Sequence, residues 1–403
     1  MIMTSKSTLY KFLAINAFMF MACNMVHPIT PAFLTNLELP DYMFGLALAA
    51  MSLTNFLFSP LWGKLSDMVG RLRITNIGLF GYAVSQIAFM LSGSEFTVIL
   101  SRILSGVFAG AFTVACMAYL ADVTDKQNRP KYMLYFVAFH SVSASIGYLL
   151  GGFIGDYSIP AAFIVQVIAL LISIVLYISF LKDSIQNPSK MDRADLVRHA
   201  NPFNSFFQAK QVMSGALIVF LIGVFLTTFA TVGYDGALNY YIRKVYLFPP
   251  SYNGILKAVT GMIGLIANFT INQWLVKHTD GRRSLVAILL ICGITLGVAS
   301  NIVSLVPFLV WNVLFYTFNS MYLPIQQALV VEGQKGTSNG LLFGIFNSVK
   351  SLGMIGGSLV AGFAYEIKPT LPFMITAVIF IIAAGLGVVN IFQYKRIFVK
   401  GDG

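Results

Sequence analysis

Charge is what this sequence has least of. Only 10% of its 403 residues are Asp, Glu, Lys or Arg, against roughly 25% in a typical soluble chain. That shortage excludes an ordinary water-facing globular domain. Cysteine is scarcer still: Cys23, Cys116 and Cys292 each fall inside an apolar run, which excludes a disulfide framework and leaves them as small core residues. There are four histidines, no cluster of Cys, His, Asp or Glu at metal-ligand spacing and no nucleotide-cradling loop. No metal or cofactor is therefore expected, and energy must come from an ion gradient or from the substrate gradient. The net charge of +11 comes from basic residues scattered between apolar runs, so nucleic acid is not the expected partner.

Apolar surface fills the space that charge leaves. The chain is 57% hydrophobic and its mean hydropathy is +0.79. A membrane-crossing helix needs roughly 20 mostly apolar residues. Twelve segments qualify, at about 10–34, 42–63, 73–92, 96–121, 132–155, 160–181, 213–242, 252–275, 284–303, 306–331, 338–363 and 370–394. The one long polar stretch divides them six and six. The expected organisation is an N-terminal bundle over 1–181, a cytoplasmic linker over 182–212 and a C-terminal bundle over 213–403. The first apolar run follows Lys6 and Lys11 and lacks a small-residue cleavage site, so it reads as a retained helix. With both termini inside, 20 of the 26 basic residues fall in cytoplasmic segments, Arg243, Lys244 and Lys368 fall outside, and Arg102, Lys257 and Lys350 fall within spans. This asymmetry places both termini in the cytoplasm of a multi-pass protein of the inner (plasma) membrane.

The two sets of six are internally related. Gly70-Arg71 after the second span returns 211 residues later as Gly281-Arg282. Gly147-Tyr148-Leu149-Leu150-Gly151-Gly152 in the fifth span is echoed at an offset of 210 by Gly357-Ser358-Leu359-Val360-Ala361-Gly362 in the eleventh. Asp122, ending the fourth span, matches Glu332, ending the tenth. One offset in three places argues duplication. The copies differ in charge, since His278 stands where the repeat places Asp67.

Gly63-Lys64-Leu65-Ser66-Asp67-Met68-Val69-Gly70-Arg71 resembles the loop motif G-x-L-x-D-x-x-G-R of the major facilitator superfamily, and the resemblance covers nearly the whole chain. It implies an all-α integral membrane fold of twelve helices in two pseudo-symmetric six-helix bundles. It also implies a conformational latch of Gly63, Asp67, Gly70, Arg71 and Asp122, repeated by Arg282 and Glu332, that holds the outward-facing state. Arg102 through Gly110 resembles the family's fourth-span motif, with Ser105 where Gln is common. Gly147, Gly151 and Gly152 resemble the antiporter motif of twelve-span drug/proton exporters, with Tyr148 in place of proline. As plain chemistry, these glycines also have the spacing of close helix packing. Asp235 matches an acidic residue of the Gram-positive quinolone-efflux group. The second acid of that group is absent from Phe318-Asn319-Ser320-Met321-Tyr322.

Ionisable residues inside membrane segments are functional candidates by default. Here they are His27, Arg102, His140, Asp235, Lys257 and Lys350. Asp235 is the one carboxylate well inside a span, and a nearby Lys350 would hold it ionised. His140 and Lys350 are 210 residues apart, which gives them matching places in the fifth and eleventh spans. Arg102 and Lys257 also lie near span ends, where long side chains snorkel to the surface. Asn24, Asn55, Tyr234, Asn319 and Tyr322 are amide or aromatic candidates for a large amphipathic cavity. Two readings follow: proton-coupled efflux of amphipathic drugs or toxic metabolites, or transport of an anionic or neutral metabolite, a sugar or a lipid-linked molecule. No nucleophile–base pair falls on facing helices, so an enzyme is not expected. The expected partners are a small-molecule substrate, protons and the lipid bilayer, with the protein working as a monomer.

Overall fold

The computed structural model describes residues 6–125, 128–185, 201–203, 213–330, 332 and 339–394. Most of the linker, including Lys190, Arg193, Arg198 and Lys210, lies outside the described residues, as do Lys335, Lys395, Arg396 and Lys400. Every regular element among the described residues is helical: α1 Lys6–Asn24, α2 Thr30–Asn36, α3 Met43–Val69, α4 Arg71–Met90, α5 Glu95–Val123, α6 Arg129–Tyr157, α7 Ile159–Phe180, α8 Gly215–Lys244, α9 Pro250–Ala267, α10 Gln273–His278, α11 Gly281–Ala299, α12 Leu305–Leu329, α13 Asn339–Ile367 and α14 Leu371–Tyr394. Each of the twelve expected segments contains helix among the described residues. By length and composition alone, eight helical stretches among the described residues are apolar and long enough to cross a membrane.

Side-chain chemistry sets the ends. Ser94 and Thr97 form a reciprocal capping box at the start of α5, Ser158 caps α7 and Asp280 caps α11, each satisfying backbone N–H groups that a helix start leaves open. In lipid the usual amphipathy inverts. On α7, Gln166, Ser173 and Tyr177 share the buried face with Phe163 and Leu170, while Ile164, Ile168, Ile172, Val175 and Ile178 are exposed. Polar groups turn inward because no partner exists for them in hydrocarbon.

Two expected spans are interrupted. Residues 25–29, around His27-Pro28, separate α1 from α2. Gln166 closes the gap, its Nε2 donating to the carbonyls of Ala22 (3.0 Å) and Cys23 (3.1 Å). The eighth span contains a π turn, Asn268–Asn272, between α9 and α10. Asn268 Nδ2 donates there to the carbonyls of Gly264 (2.9 Å) and Ser320 (3.2 Å), and Asn272 Nδ2 donates to Asn268 Oδ1 (2.9 Å).

The chain divides into two compact units. The first comprises Met1–Leu39, Ala50–Pro202 and Asn239–Ala258. In it α1 packs on α6 and α7, and α4 on α5 and α7. Its core is aromatic, with Phe12 against Tyr119 and Phe136 and the Tyr177 hydroxyl against Met19 Sδ and Cys116 Sγ. The second comprises Pro40–Ala49, Phe203–Leu238 and Val259–Gly403. There α11 packs on α12 and α14, and α13 on α14, around Phe308, Phe315, Phe373 and Phe380. The α4–α5, α4–α7 and α6–α7 pairings of the first unit thus recur as α11–α12, α11–α14 and α13–α14.

Each unit contains a seam with no room for a side chain. A Cβ on Gly45 would lie 2.2 Å from the Ser358 carbonyl oxygen and 2.6 Å from Gly362 Cα, so α3 and α13 meet backbone to backbone. In the first unit, a Cβ on Gly152 would lie 2.9 Å from the Pro250 oxygen and one on Gly254 2.6 Å from the Tyr148 oxygen, which joins α6 to α9. Gly147 and Gly151 serve another contact of α6: added Cβ atoms would strike the carbonyl oxygens of Met21 and Met25, where α1 ends.

Candidate functional site

The loop motif folds into a charged cluster at one end of the first unit. Arg71 begins α4 and reaches back to Asp67 one turn earlier, to Asp122 at the end of α5 (Nε to Oδ2, 2.9 Å) and to Ser66 (Nη1 to Oγ, 2.7 Å). A planar fork of donors suits such shared pairing. Gly70 turns the chain at φ +129°, a conformation that a side chain would strain. Gly63 lies nearby on α3, 3.4 Å from Val114 if given a Cβ. The second unit repeats the pairing: Arg282 Nη1 donates to Glu332 at 2.6 Å. Arg282 also stacks on Tyr394, its guanidinium carbon 3.5 Å from the ring centre.

Between α8 and α12 runs a hydrogen-bonded ladder. Tyr316 donates to Asp235 Oδ1 at 2.5 Å, and the Tyr234 hydroxyl donates to Asn312 Oδ1. One turn along, Thr231 Oγ1 donates to Asn319 Oδ1 (3.0 Å) and meets the Tyr322 hydroxyl (3.1 Å). Another turn along, Gln326 Nε2 donates to Thr227 Oγ1 (3.1 Å). Residues 227, 231 and 235 are four apart, so one face of α8 presents all three rungs. Tyr234, Asn312, Thr227 and Gln326 are at most 2% exposed. Interhelical bonds of this kind contribute about 0.6 kcal/mol each in membrane proteins.

The α1–α2 break carries a second group. His27 stacks on Tyr148, ring centres 5.6 Å apart and planes within 13°. Arg102 on α5 is only 5% exposed. Its guanidinium carbon lies 3.6 Å above the Phe89 ring, and Nη2 donates to Thr30 Oγ1 at 3.4 Å. Asn24 donates to the Phe20 carbonyl (2.7 Å). Asn55 accepts from Ser59 (2.9 Å) on its own helix. His140 meets the Phe20 ring edge-on at 4.0 Å.

Lys350 lies with its Nζ 5.7 Å from the Phe346 ring, one turn back on α13. It does not sit level with Asp235. Gly353, three residues beyond Lys350, lies against Phe225, and Gly357 against Phe229. Asp235 is ten residues past Phe225, about 15 Å along α8. Tyr316 holds the carboxylate instead.

Sequence reasoning named Tyr234, Asp235, Asn319 and Tyr322 but not Asn312 or Tyr316. The signal was present: positions 312, 316, 319, 322 or 323 and 326 fall on one stripe of α12, and polar or tyrosine side chains occupy it. Asp183 and Gln166 were also missed, because each acts on a segment more than 100 residues away.

The description "Major Facilitator Superfamily" matches residues 12–332. The chain belongs to that family. It is 25% identical over 394 residues to multidrug resistance protein 2 of Bacillus subtilis, covering 97% of this chain and 96% of that one. It is 30% identical over 161 residues to the quinolone resistance protein NorA of Staphylococcus aureus, covering 39% of this chain and 42% of that one. Among solved structures, a bacterial homolog of the human lysosomal transporter Spinster aligns with a TM-score of 0.77 at 14% identity over 98% of this chain and 99% of the other. The human organic anion transporter MFSD10 aligns at 0.67 and 19% identity, over 94% and 98%. These two share the fold. Family membership makes the chain an integral-membrane transporter of small molecules and not an enzyme.

Proposed function

We propose that this transporter exports amphipathic drugs or toxic metabolites by alternating access, in exchange for protons taken up at Asp235. The observation that carries the reading is the Tyr316–Asp235 hydrogen bond on α8 and α12. Ionised, Asp235 accepts a hydrogen bond from the Tyr316 hydroxyl. Once protonated, the carboxyl becomes a donor as well, and the bond joining the two helices must reorganise. That gives proton binding a direct grip on helix contact. The drug-resistance relatives supply the substrate class.

The positive-inside pattern puts both termini, the Arg71 cluster and Arg282–Glu332 on the cytoplasmic side. The glycine seams are then at the outer ends of their helices. Alternating access requires these seams to part, while the Arg71–Asp122 and Arg282–Glu332 pairs act as the cytoplasmic latch. Lipid surrounds the protein, which works as a monomer of two bundles, 1–181 and 213–403, joined by the 182–212 linker.

Purified protein in liposomes given a pH jump tests this reading. Wild type should accumulate a lipophilic cationic dye against its gradient, and Asp235→Asn should abolish the pH-driven part. Dye transport that keeps its pH drive in Asp235→Asn would sink the proton role.

A second reading has its own observation. Arg102 is buried against an aromatic face and a hydroxyl, an environment that can accept an anion. Under it, organic anions compete for transport and Arg102→Lys weakens that competition.

A further inference from the structure

The latch has a member that its loop motif does not contain. Asp183 follows α7 at the root of the linker, yet its carboxylate sits on the first turn of α4. Oδ1 accepts from the Arg71 amide (2.8 Å), and Oδ2 accepts from the amides of Leu72 (2.9 Å) and Arg73 (3.2 Å). A helix start leaves four such donors open and carries partial positive charge, and Asp183 answers both. The neighbouring residues are bound as well. Ser184 Oγ donates to Asp122 Oδ2 at 2.9 Å, the same oxygen that Arg71 Nε holds. The Lys182 carbonyl accepts from Tyr119 at 3.1 Å. Gly70 makes space for this arrangement: a Cβ there would lie 2.5 Å from Asp183 Oδ2.

The second unit solves the same problem differently. Its α11 is capped locally by Asp280, whose Oδ1 accepts from the Arg282 amide at 2.8 Å. The position 211 residues beyond Asp183 is Tyr394, which stacks on the Arg282 side chain. The first unit has Val69 where the second has its capping aspartate, one residue before the glycine of each copy, and takes its cap from the linker.

We infer that the linker root, through Asp183 and Ser184, is a working part of the latch, so that release of Asp122 by Arg71 also loosens the linker. Asp183 is a positioning residue, and the linker is coupled to the latch rather than a passive tether. The inference rests on reading the loop motif as a latch.

Hydrogen exchange on the full-length protein tests it. Asp122→Asn leaves Asp183 in place but weakens the grip on Ser184 and Arg71. Exchange across residues 181–185 should then quicken at least tenfold. Unchanged exchange there would overturn the coupling. Asp183→Ala should quicken exchange at the 71–73 amides. Ser184→Ala leaves the Asp183 cap in place and removes only the bond to Asp122. In this variant protection at 71–73 should persist while exchange across 181–185 quickens and dye efflux falls about tenfold. Wild-type exchange at 181–185 together with wild-type efflux in Ser184→Ala would reduce Asp183 to a helix cap and overturn the inference. Wild-type protein that moves no dye would defeat the export reading alone, and the exchange arms would still decide the linker's role.

Discussion

At the scale of single residues, the ladder divides into rungs that hold the fold and one rung that can change. Tyr234 and Asn312 are both sealed from solvent. Asn312→Leu removes the acceptor and strands a buried hydroxyl, which costs about 1–3 kcal/mol. Thermal unfolding should show the loss. Tyr316 differs because its partner is ionisable. Tyr316→Phe keeps the ring packing against Phe315 and Tyr234 and removes the donor to Asp235. Pumping in a pH gradient should fall by about tenfold, near 1.4 kcal/mol in the barrier, with unfolding temperature little changed. A fall in stability as large as that of Asn312→Leu would instead class Tyr316 with the structural rungs. Asp235 was legible because an acid in an apolar run stands out. Tyr316 was not, because a tyrosine in a chain with 14% aromatics looks like filler until its partner is seen.

At the scale of helices, the glycine seams and the two interruptions matter most. Gly45→Val drives a branched side chain into the Ser358 carbonyl and Gly362. Backbone cannot retreat as a flexible side chain can, so the seam should open or the protein unfold. Expression and thermal stability should both drop. Gly223 is the control: nothing lies within 4 Å of an added Cβ, and Gly223→Ala should gain about 0.5–1 kcal/mol from helix entropy alone. The repeat was readable because the Gly147–Gly152 and Gly357–Gly362 runs share an offset, although the sequence does not say which partner each glycine meets. The broken first span was not readable. Residues 25–29 look like continuous apolar helix apart from Pro28, and Gln166, which satisfies the freed carbonyls, sits far off in sequence. The π turn was equally hidden. It inserts one extra residue per turn without any proline or glycine to mark it.

At the scale of the whole molecule, the proposed orientation makes a direct prediction. The three native cysteines are buried, so single introduced cysteines report cleanly. Leu247→Cys, at an exposed position between α8 and α9, should react with a membrane-impermeant maleimide in intact cells. Arg73→Cys, exposed beside the latch, should react only after permeabilisation. The opposite pattern would invert the topology. The duplication was legible as offsets, and its helix pairings recur in both units. Its broken symmetry was legible as Asp67 against His278, yet the deeper difference lay elsewhere. One unit carries its own cap for the helix after the loop, and the other borrows it from residue 183. This has a consequence for biosynthesis. Asp183 lies 112 residues after the Arg71 amide it binds. At about 5–20 residues per second, α4 waits on the order of 5–20 s on the ribosome before its first turn can close. The N-terminal half therefore completes its structure only as synthesis passes into the linker, and a gene split placed before residue 182 would leave that half unfinished.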